Sequence, residues 1–173
     1  MLARAVRHAL ALLHQARDPI GYHRSRGVRI GSGCELIGTT LHSFGSEPYL
    51  VTIGDGVTVS HGADFITHDG GLRVVRDRHP GAFYYAPITV GDHAFIGAHA
   101  VLLPGTVIGE RAVVGAGAVV SGEVPPGTVV AGVPARPVKS VEEYGLARQA
   151  EWIDTAGLSA EAKERLLRER FAG

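Results

Sequence analysis

A six-residue period runs through the second half of the chain and restricts its fold more than any other feature. Every sixth residue from Val90 onward is a large aliphatic, and the next residue is glycine in four of six repeats. The aliphatic residues are Val90, Ile96, Leu102, Ile108, Val114 and Val120. Four positions after each of them come Ala94, Ala100, Thr106, Ala112, Ala118 and Val124, which are small in nearly every repeat. The period fits neither a helix nor an alternating strand, and indicates a coil whose hexapeptides are each one short strand plus one turn.

Three such hexapeptides make one turn of a triangular prism, and successive coils stack through hydrogen bonds. The aliphatic and the small residue of each hexapeptide are both predicted to face the interior. The period also appears upstream, at Ile53, Val59 and Phe65, and again at Ile30. Cys34, the one cysteine of the chain, falls at a small interior position, so we predict a buried structural residue instead of a nucleophile or a disulfide.

The charge balance argues against nucleic acid as a partner. Lysine plus arginine and aspartate plus glutamate both number 17, which gives a formal net charge of zero. A polyanion-binding protein usually carries a basic excess.

The N-terminal residues 1–27 are predicted to form an amphipathic helix and a linker. The apolar run from Ala9 to Leu13 is too short for a signal peptide, and nothing approaches the roughly 18 apolar residues that span a bilayer. We therefore expect a cytoplasmic protein without stable membrane insertion. Leu2, Val6, Leu10 and Leu13 recur at helical spacing. This face should pack on the body or on a neighbouring subunit, with membrane-surface contact as the weaker alternative, and His8, His14 and His23 should lie at the surface.

The period is interrupted between Ile53 and Val90, and the register is lost over about residues 66–87. A long excursion from a regular scaffold is usually functional or disordered. This one contains His68, Asp69, three arginines and the cluster Phe83, Tyr84 and Tyr85. Charged and aromatic groups together favour an ordered loop that faces a ligand.

The repeat resembles that of the hexapeptide-repeat acyltransferases, in which an aliphatic-Gly-x-x-small-x pattern builds a left-handed parallel β-helix. The resemblance, and not the period, implies the left hand. In the sugar O-acetyltransferase branch the loop opens just after the catalytic histidine, and here Thr67-His68 opens it and Pro87 to Gly91 close it. The resemblance therefore implies His68 as general base, and a neutral imidazole suits the removal of a hydroxyl proton.

His61 is the rival base, and His93 and His99 occupy outward-facing positions of the repeat. The asparagine that related enzymes carry near Gly62 to contact the acceptor is absent, so acceptor recognition must differ. We predict that the acceptor contacts His61, Asp69, Tyr84 and Tyr85. Asp69, Asp64 and Glu47 are the candidates to orient His68, and the sequence leaves the choice among them open.

The donor site is also implied by the resemblance, which is strongest at the segment Gly132-Val133-Pro134-Ala135-Arg136. In the family, coenzyme A lies in a groove between subunits of a trimer. This implies acetyl-CoA as donor, a homotrimer, and no metal. The matching positions are Phe95 near the thiol, Ala98, Ala116 and Ser121 along the pantetheine, and Arg136 and Lys139 near the phosphates or adenine; an ordinary solvated basic pair is the alternative for the last two.

The C-terminal residues 140–173 are predicted to form a helical extension of the β-helix domain at residues 28–139. Ser140 and Glu143 form a capping-box pattern that begins a helix from about Val141 to Thr155. A second helix runs from Ser159 to about Phe171. Tyr144 and Trp152 should pack this tail on the β-helix.

The predicted function is acetyl transfer from acetyl-CoA to a hydroxyl of a sugar or glycan precursor. Three alternatives remain: acetylation of an antibiotic or other xenobiotic, a zinc carbonic anhydrase on the same helix, and a non-catalytic scaffold subunit. The histidine spacing argues against the zinc enzyme, which needs three histidine ligands. The presence of His68 and of the Gly-Val-Pro-Ala-Arg segment argues against the scaffold.

Overall fold

The structure, a computed structural model, describes residues 2–172, with side chains from Ala5 to Ala172. Short strands separated by turns follow one another from residue 29 to residue 140. They are β1 (Arg29–Ile30), β2 (Glu35–Leu36), β3 (Val51–Ile53), β4 (Thr58–Val59), β5 (Asp64–Phe65), β6 (Ile88–Val90), β7 (Phe95–Ile96), β8 (Val101–Leu102), β9 (Val107–Ile108), β10 (Val113–Val114), β11 (Val119–Val120), β12 (Glu123–Val124), β13 (Thr128–Ala131) and β14 (Arg136–Ser140).

The strands form three sheets, the three faces of a coil stack. The first sheet has the order β1-β3-β6-β9-β12, the second β14-β13-β10-β7-β4-β2, and the third β11-β8-β5. The strand pairs are parallel except β13 with β14, which is an antiparallel hairpin. Strands from successive turns of the chain therefore lie side by side, as the six-residue period predicts.

The interior is filled by stacked residues of the repeat. On the first face Ile53 pairs with Val90 and Val90 with Ile108, and on the third face Phe65 pairs with Leu102. These residues, the other aliphatic positions of the repeat and its small positions are buried, and so is Cys34. The predicted interior is thus confirmed.

A glycine follows the first-face strand in most coils because the next coil leaves no room for a side chain. A Cβ on Gly91 would come within 2.7 Å of the backbone nitrogen of Glu110. Real Cβ atoms do not approach so closely, so glycine at this corner sets the spacing between coils.

Two excursions leave the stack next to each other. The first, residues 37–50, replaces the third-face strand of the first coil and ends in a short 3-10 helix at Pro48–Leu50. Phe44 in this segment is 1% exposed, and its ring lies 4.7 Å from that of Phe65, so Phe44 continues the third-face interior column. The second, residues 66–87, contains a 3-10 helix at Gly70–Val75 and re-enters at β6, where Val51 pairs with Ile88.

The N-terminal region forms two helices, α1 (Leu2–Arg17) and α2 (Pro19–Ser25). Asp18 separates them because its side chain accepts a hydrogen bond from the Gly21 nitrogen and caps α2. His23 in α2 is buried, with its ring 4.6 Å from that of Phe44. The prediction that His23 lies at the surface is therefore wrong: α2 packs against the first excursion, whose course the repeat does not encode.

The apolar face of α1 points away from the coil stack. The side chain of Gln15 donates to the Thr39 carbonyl on the opposite side of the helix. Val6, Leu10 and Leu13 are 50%, 59% and 54% exposed. Within one chain, the predicted packing of this face on the body does not occur.

The C-terminal tail follows the hairpin of β13 and β14 and comprises α3 (Val141–Arg148) and α4 (Ala160–Phe171). Both bonds of the predicted capping box between Ser140 and Glu143 are present, and Ser159 caps α4. The predicted extension of the first helix to Thr155 is wrong, because a 3-10 turn at Gln149–Glu151 and an extended Trp152 end it.

The predicted packing of Tyr144 and Trp152 on the β-helix is also wrong for the single chain. Their side chains are 47% and 65% exposed. The main contacts of α3 are with β13, β14 and its own 3-10 turn, so the tail extends from the end of the stack instead of lying along its faces. Among the helices in residues 2–172, none has both the length and the apolar character needed to cross a bilayer.

Candidate functional site

His68 lies where the second excursion leaves the third face of the stack. The excursion returns beside its own start: His68 and Tyr85 form an antiparallel bridge, and the Asp69 nitrogen donates to the Tyr84 carbonyl at 3.0 Å. The Ala86 nitrogen likewise donates to the Thr67 carbonyl at 3.0 Å. These bonds hold both ends of the loop, so His68 has a fixed backbone although its side chain is 41% exposed.

Glu47, from the first excursion, orients the imidazole. Its Oε2 lies 3.0 Å from His68 Nδ1 and accepts a 2.7 Å hydrogen bond from Thr67 Oγ1. A carboxylate only accepts, so a neutral His68 carries its proton on Nδ1 and leaves the lone pair of Nε2 free. Of the three orienting candidates, the structure brings Glu47 to the ring.

Glycine at position 45 allows this approach. Gly45 has φ of +65°, and a Cβ there would lie 2.8 Å from the Phe65 carbonyl oxygen. The chain can therefore pass close to β5 and deliver Glu47 beside Thr67 and His68.

Glu47 remains ionised at neutral pH. Partial burial alone would raise the pKa of Glu47, but hydrogen bonds from Thr67, His68 and Ser46 and the charge of His68 outweigh it and lower that pKa. The carboxylate can thus stabilise a positive charge that develops on His68.

The other two candidates do not contact the ring nitrogen. Asp69 accepts from the Gly71 nitrogen at 2.7 Å and caps the 3-10 helix. Asp64 lies on β5 with its side chain exposed.

His68 opens into a cleft of about 360 Å³. One wall comes from the first excursion and the rest from the second. The lining residues are Ser46, Glu47, His68, Asp69, Gly70, Arg73, Arg76, Phe83, Tyr84 and Tyr85. Three of the four predicted acceptor-binding residues, Asp69, Tyr84 and Tyr85, are in this set.

His61, the fourth, lies on a different edge of the prism. It sits at the corner between the second and third faces, where its ring contacts that of His99 edge-on at 4.9 Å. The His99 nitrogen donates to the His61 carbonyl, which places the two on adjacent coils. One chain therefore does not bring His61 to His68.

The predicted donor residues are divided between edges of the prism; Ala98 is half-buried and the other five are exposed. Ala98 and Ala116 lie on the same corner as His61, and the Gly117 nitrogen donates to the Ala98 carbonyl at 2.8 Å. Ser121 follows β11 and so lies on the edge between the third and first faces, the same edge as His68. Phe95 lies on the second face, on the central β7.

Arg136 and Lys139 are exposed on β14, at the end of the stack. Arg136 pairs with Ala131 across the hairpin, just beyond the cis peptide bond between Val133 and Pro134. Within residues 2–172, no group of three or more histidine, cysteine, aspartate or glutamate side chains is arranged to hold a metal ion.

Sequence reasoning missed Ser46 and Thr67 as partners of Glu47. A signal was present, because Ile30 and Ile53 are 23 residues apart where a full coil takes 18. That spacing indicates a first insertion, so a polar side chain inside it, such as Ser46, could have been considered as part of the site.

Comparison with known proteins identifies the class. Residues 87–122 match the family model described as the bacterial transferase hexapeptide of six repeats. The chain is 42% identical to the protein CapG of Staphylococcus aureus over 121 residues, which are 70% of each protein. The chain therefore belongs to the hexapeptide-repeat family of bacterial transferases, and the predicted family is confirmed.

Two further relatives are named acetyltransferases. The chain is 38% identical to the galactoside O-acetyltransferase of Escherichia coli over 56% of its own length, and spans about half, 47%, of that enzyme. A hexapeptide-repeat acetyltransferase of Vibrio cholerae, solved in complex with acetyl-CoA, matches with a TM-score of 0.51 and 31% identity. That match covers 66% of this chain and 60% of the other. The chain is accordingly an acyltransferase, as predicted.

Proposed function

We propose that the protein is an acetyl-CoA-dependent O-acetyltransferase whose acceptor is a hydroxyl of a sugar or glycan precursor, with His68 as general base. The observation that carries the proposal is the hydrogen bond between Glu47 and His68 Nδ1 at the mouth of a ligand-sized cleft. A neutral imidazole fixed in one tautomer beside an open cleft is suited to take a proton from a bound hydroxyl.

The reaction assigns a role to each of the two residues. His68 Nε2 removes the hydroxyl proton while the oxygen attacks the thioester carbonyl, and the carbon–sulfur bond then breaks as the thiol leaves. The imidazolium returns its proton to the departing sulfur. Glu47 stabilises the imidazolium throughout, because its carboxylate stays ionised at neutral pH.

The donor assignment rests on the relatives. The Vibrio cholerae acetyltransferase was solved with acetyl-CoA bound, and the Escherichia coli relative is named a galactoside O-acetyltransferase. We infer that Phe95, Ala98, Ala116, Ser121, Arg136 and Lys139 bind the donor, and that the coil stack has the family's left hand. Residues 28–139 would form the acyltransferase body, with residues 1–27 and 140–173 as additions.

The division of the site between edges supports a homotrimer. His68 and Ser121 lie on one edge of the prism, whereas Ala98, Ala116 and His61 lie on another. A single donor molecule can contact both sets of residues if the first edge of one chain lies beside the second edge of a neighbouring chain. A closed ring of three chains makes three such equivalent contacts.

The test is thiol release from acetyl-CoA across a panel of sugars, sugar phosphates and antibiotics. We expect release with a sugar, and a roughly 100- to 10,000-fold lower kcat in His68→Ala, because the base is lost. His42→Ala, which removes an exposed histidine of the first excursion outside the cleft, is the matched control and should retain full activity.

Two outcomes contradict the proposal. Absence of acetyl-CoA binding in equilibrium titration would remove the donor assignment. Full activity of the folded His68→Ala variant would remove His68 as base.

A further inference from the structure

Two arginines of the cleft, Arg73 and Arg76, have no role in the proton transfer. Arg73 lies within the 3-10 helix at Gly70–Val75, and Arg76 is the residue that caps its C-terminal end. A 3-10 helix has three residues per turn, so side chains three apart project from the same side. Both guanidinium groups therefore extend from one side of this turn toward the cleft they line.

Arg76 is held in a fixed orientation in the cleft that His68 also lines. Its Nε donates to the Ala82 carbonyl at 2.9 Å, and its guanidinium carbon lies 3.8 Å from the centre of the Phe83 ring. Phe83 in turn stacks on Tyr85 at 10° between planes, and the Tyr85 ring lies 5.8 Å from His68. The terminal nitrogens of Arg76 remain available to a ligand.

The neighbouring carboxylates have other partners. Glu47 accepts from Thr67 and His68, and Asp69 accepts from the Gly71 nitrogen. Asp77 lies 3.7 Å from Arg78. Within the described part of the chain, no ion pair neutralises Arg73 or Arg76.

We propose that the acceptor carries an oxyanion, a carboxylate or a phosphate, which Arg73 and Arg76 bind while the acceptor hydroxyl lies at His68. A guanidinium presents several N–H donors in a planar fork that matches either group, and such charge-assisted bonds are among the strongest polar contacts. The arginines would then select acidic or phosphorylated sugars over neutral ones. This inference rests on the proposed function, because it assigns the acceptor of the same cleft.

The experiment compares three acceptors that differ at one carbon: methyl glucoside, methyl glucuronide and methyl glucoside 6-phosphate. Binding is measured by calorimetry on the full chain without acetyl-CoA, so it needs no turnover. We expect at least one acidic ligand to bind at least tenfold more tightly than the neutral one. The preferred ligand then distinguishes a carboxylate from a phosphate.

Matched variants locate the effect. Arg73→Gln and Arg76→Gln should each raise the Kd of the preferred acidic ligand about tenfold or more, with the Kd of the neutral sugar unchanged. Arg78→Gln is the control, since Arg78 is in the same loop, pairs with Asp77 and does not line the cleft. Circular dichroism checks that each variant is folded.

Equal affinity for the three ligands, no measurable binding of any of them, or equal effects of Arg73→Gln and Arg78→Gln would overturn the inference. The proposed function is judged separately by acetyl-CoA binding and by His68-dependent thiol release with any sugar. A neutral sugar acetylated with full dependence on His68 would refute the charged acceptor and leave the acetyltransferase intact.

Discussion

Glu47 and His68 are 21 positions apart, yet their side chains meet in the cleft, and the proposed chemistry depends on this contact. The contact depends on two insertions in adjacent coils, both of which return to the stack on its first face, at β3 and at β6. The bond fixes which ring nitrogen is basic, so Glu47 is a positioning residue and His68 the proposed catalytic one.

Glu47→Gln should lower kcat roughly 10- to 100-fold, because an amide cannot stabilise the imidazolium. This is part of the roughly 10²- to 10⁴-fold rate increase that a general base contributes. The KM for acetyl-CoA should not change, since Glu47 lines the proposed acceptor cleft and not the proposed donor groove. Steady-state kinetics separate the two effects. Glu47→Asp, which keeps the charge, should recover part of kcat, and a variant that lost only folding would not show this selective recovery.

The pH dependence of the same residue has a defined sign. The pKa of Glu47 is lower in the folded chain than its usual 4.5, so its carboxylate stabilises the fold above that pH. This contribution is lost as the pH falls through the lowered pKa.

His23 gives a second pH prediction. Burial, and then repulsion by Arg26, lower its pKa from 6.5 to about 4. Between these values the unfolded chain binds more protons, so the free energy of unfolding decreases as the pH falls from 6.5 to 4, by about 3 kcal/mol at about 1.36 kcal/mol per pKa unit.

His23→Phe should remove this part of the pH dependence, because phenylalanine keeps an aromatic ring beside Phe44 and cannot take up a proton. Denaturant unfolding at pH 7 and pH 4.5 measures it. His8→Gln, at an exposed position, serves as control and should show the wild-type difference in unfolding free energy between pH 7 and pH 4.5. The same difference in unfolding free energy between the two pH values for wild type and His23→Phe would contradict the role given to His23.

At the scale of the elements, the coil corners tolerate no side chain where coils stack tightly. A Cβ on Gly97 would lie 2.6 Å from the Ala116 nitrogen and 2.6 Å from the Val114 oxygen, both of them backbone atoms that cannot rotate away.

Gly97→Ala should therefore destabilise the protein by about 1–3 kcal/mol or more, the usual cost of overpacking. Thermal unfolding measures the effect. Gly81→Ala is the control, because nothing lies within 4 Å of the added Cβ and the backbone at Gly81 is unstrained. Equal melting temperatures for the two variants would contradict the steric argument.

The sequence predicted the coils well because their period is local: each hexapeptide supplies its own aliphatic and its own turn. It could not predict that Phe44 occupies the third face of the first coil, since the intervening residues do not follow the period. The sequence could not predict the burial of His23, or the choice of Glu47 over Asp64 and Asp69, for the same reason. Both depend on where an aperiodic segment folds. The shortened α3 and the exposed Trp152 reflect a tail with few contacts to the stack.

At the scale of the whole molecule, the exposed surfaces agree with an assembly of several chains. Val6, Leu10 and Leu13 of α1 and the tail residues Tyr144 and Trp152 are uncovered in the single chain. Large exposed apolar surfaces usually mark interaction sites.

The protein should run as a trimer, with a mass by light scattering of about three times the 18.2 kDa of the chain. A monomer at concentrations where the protein is fully active would contradict the shared site.

Mixing two inactive variants tests the sharing directly. His68→Ala lacks the base, and Ala116→Trp should block the donor groove at an exposed position. If each site takes His68 from one chain and Ala116 from the next, an equal mixture refolded together should regain about a quarter of wild-type activity, since half of the chains supply each intact part. A site within one chain would regain none.

The second excursion leaves the stack after Phe65 and returns at Ile88 without shifting the register, because Phe65 still pairs with Leu102 and Val51 with Ile88. The loop's length and composition are thus independent of the core around it. In evolutionary terms, a descendant can exchange the whole loop and acquire a new acceptor while it inherits the coils unchanged.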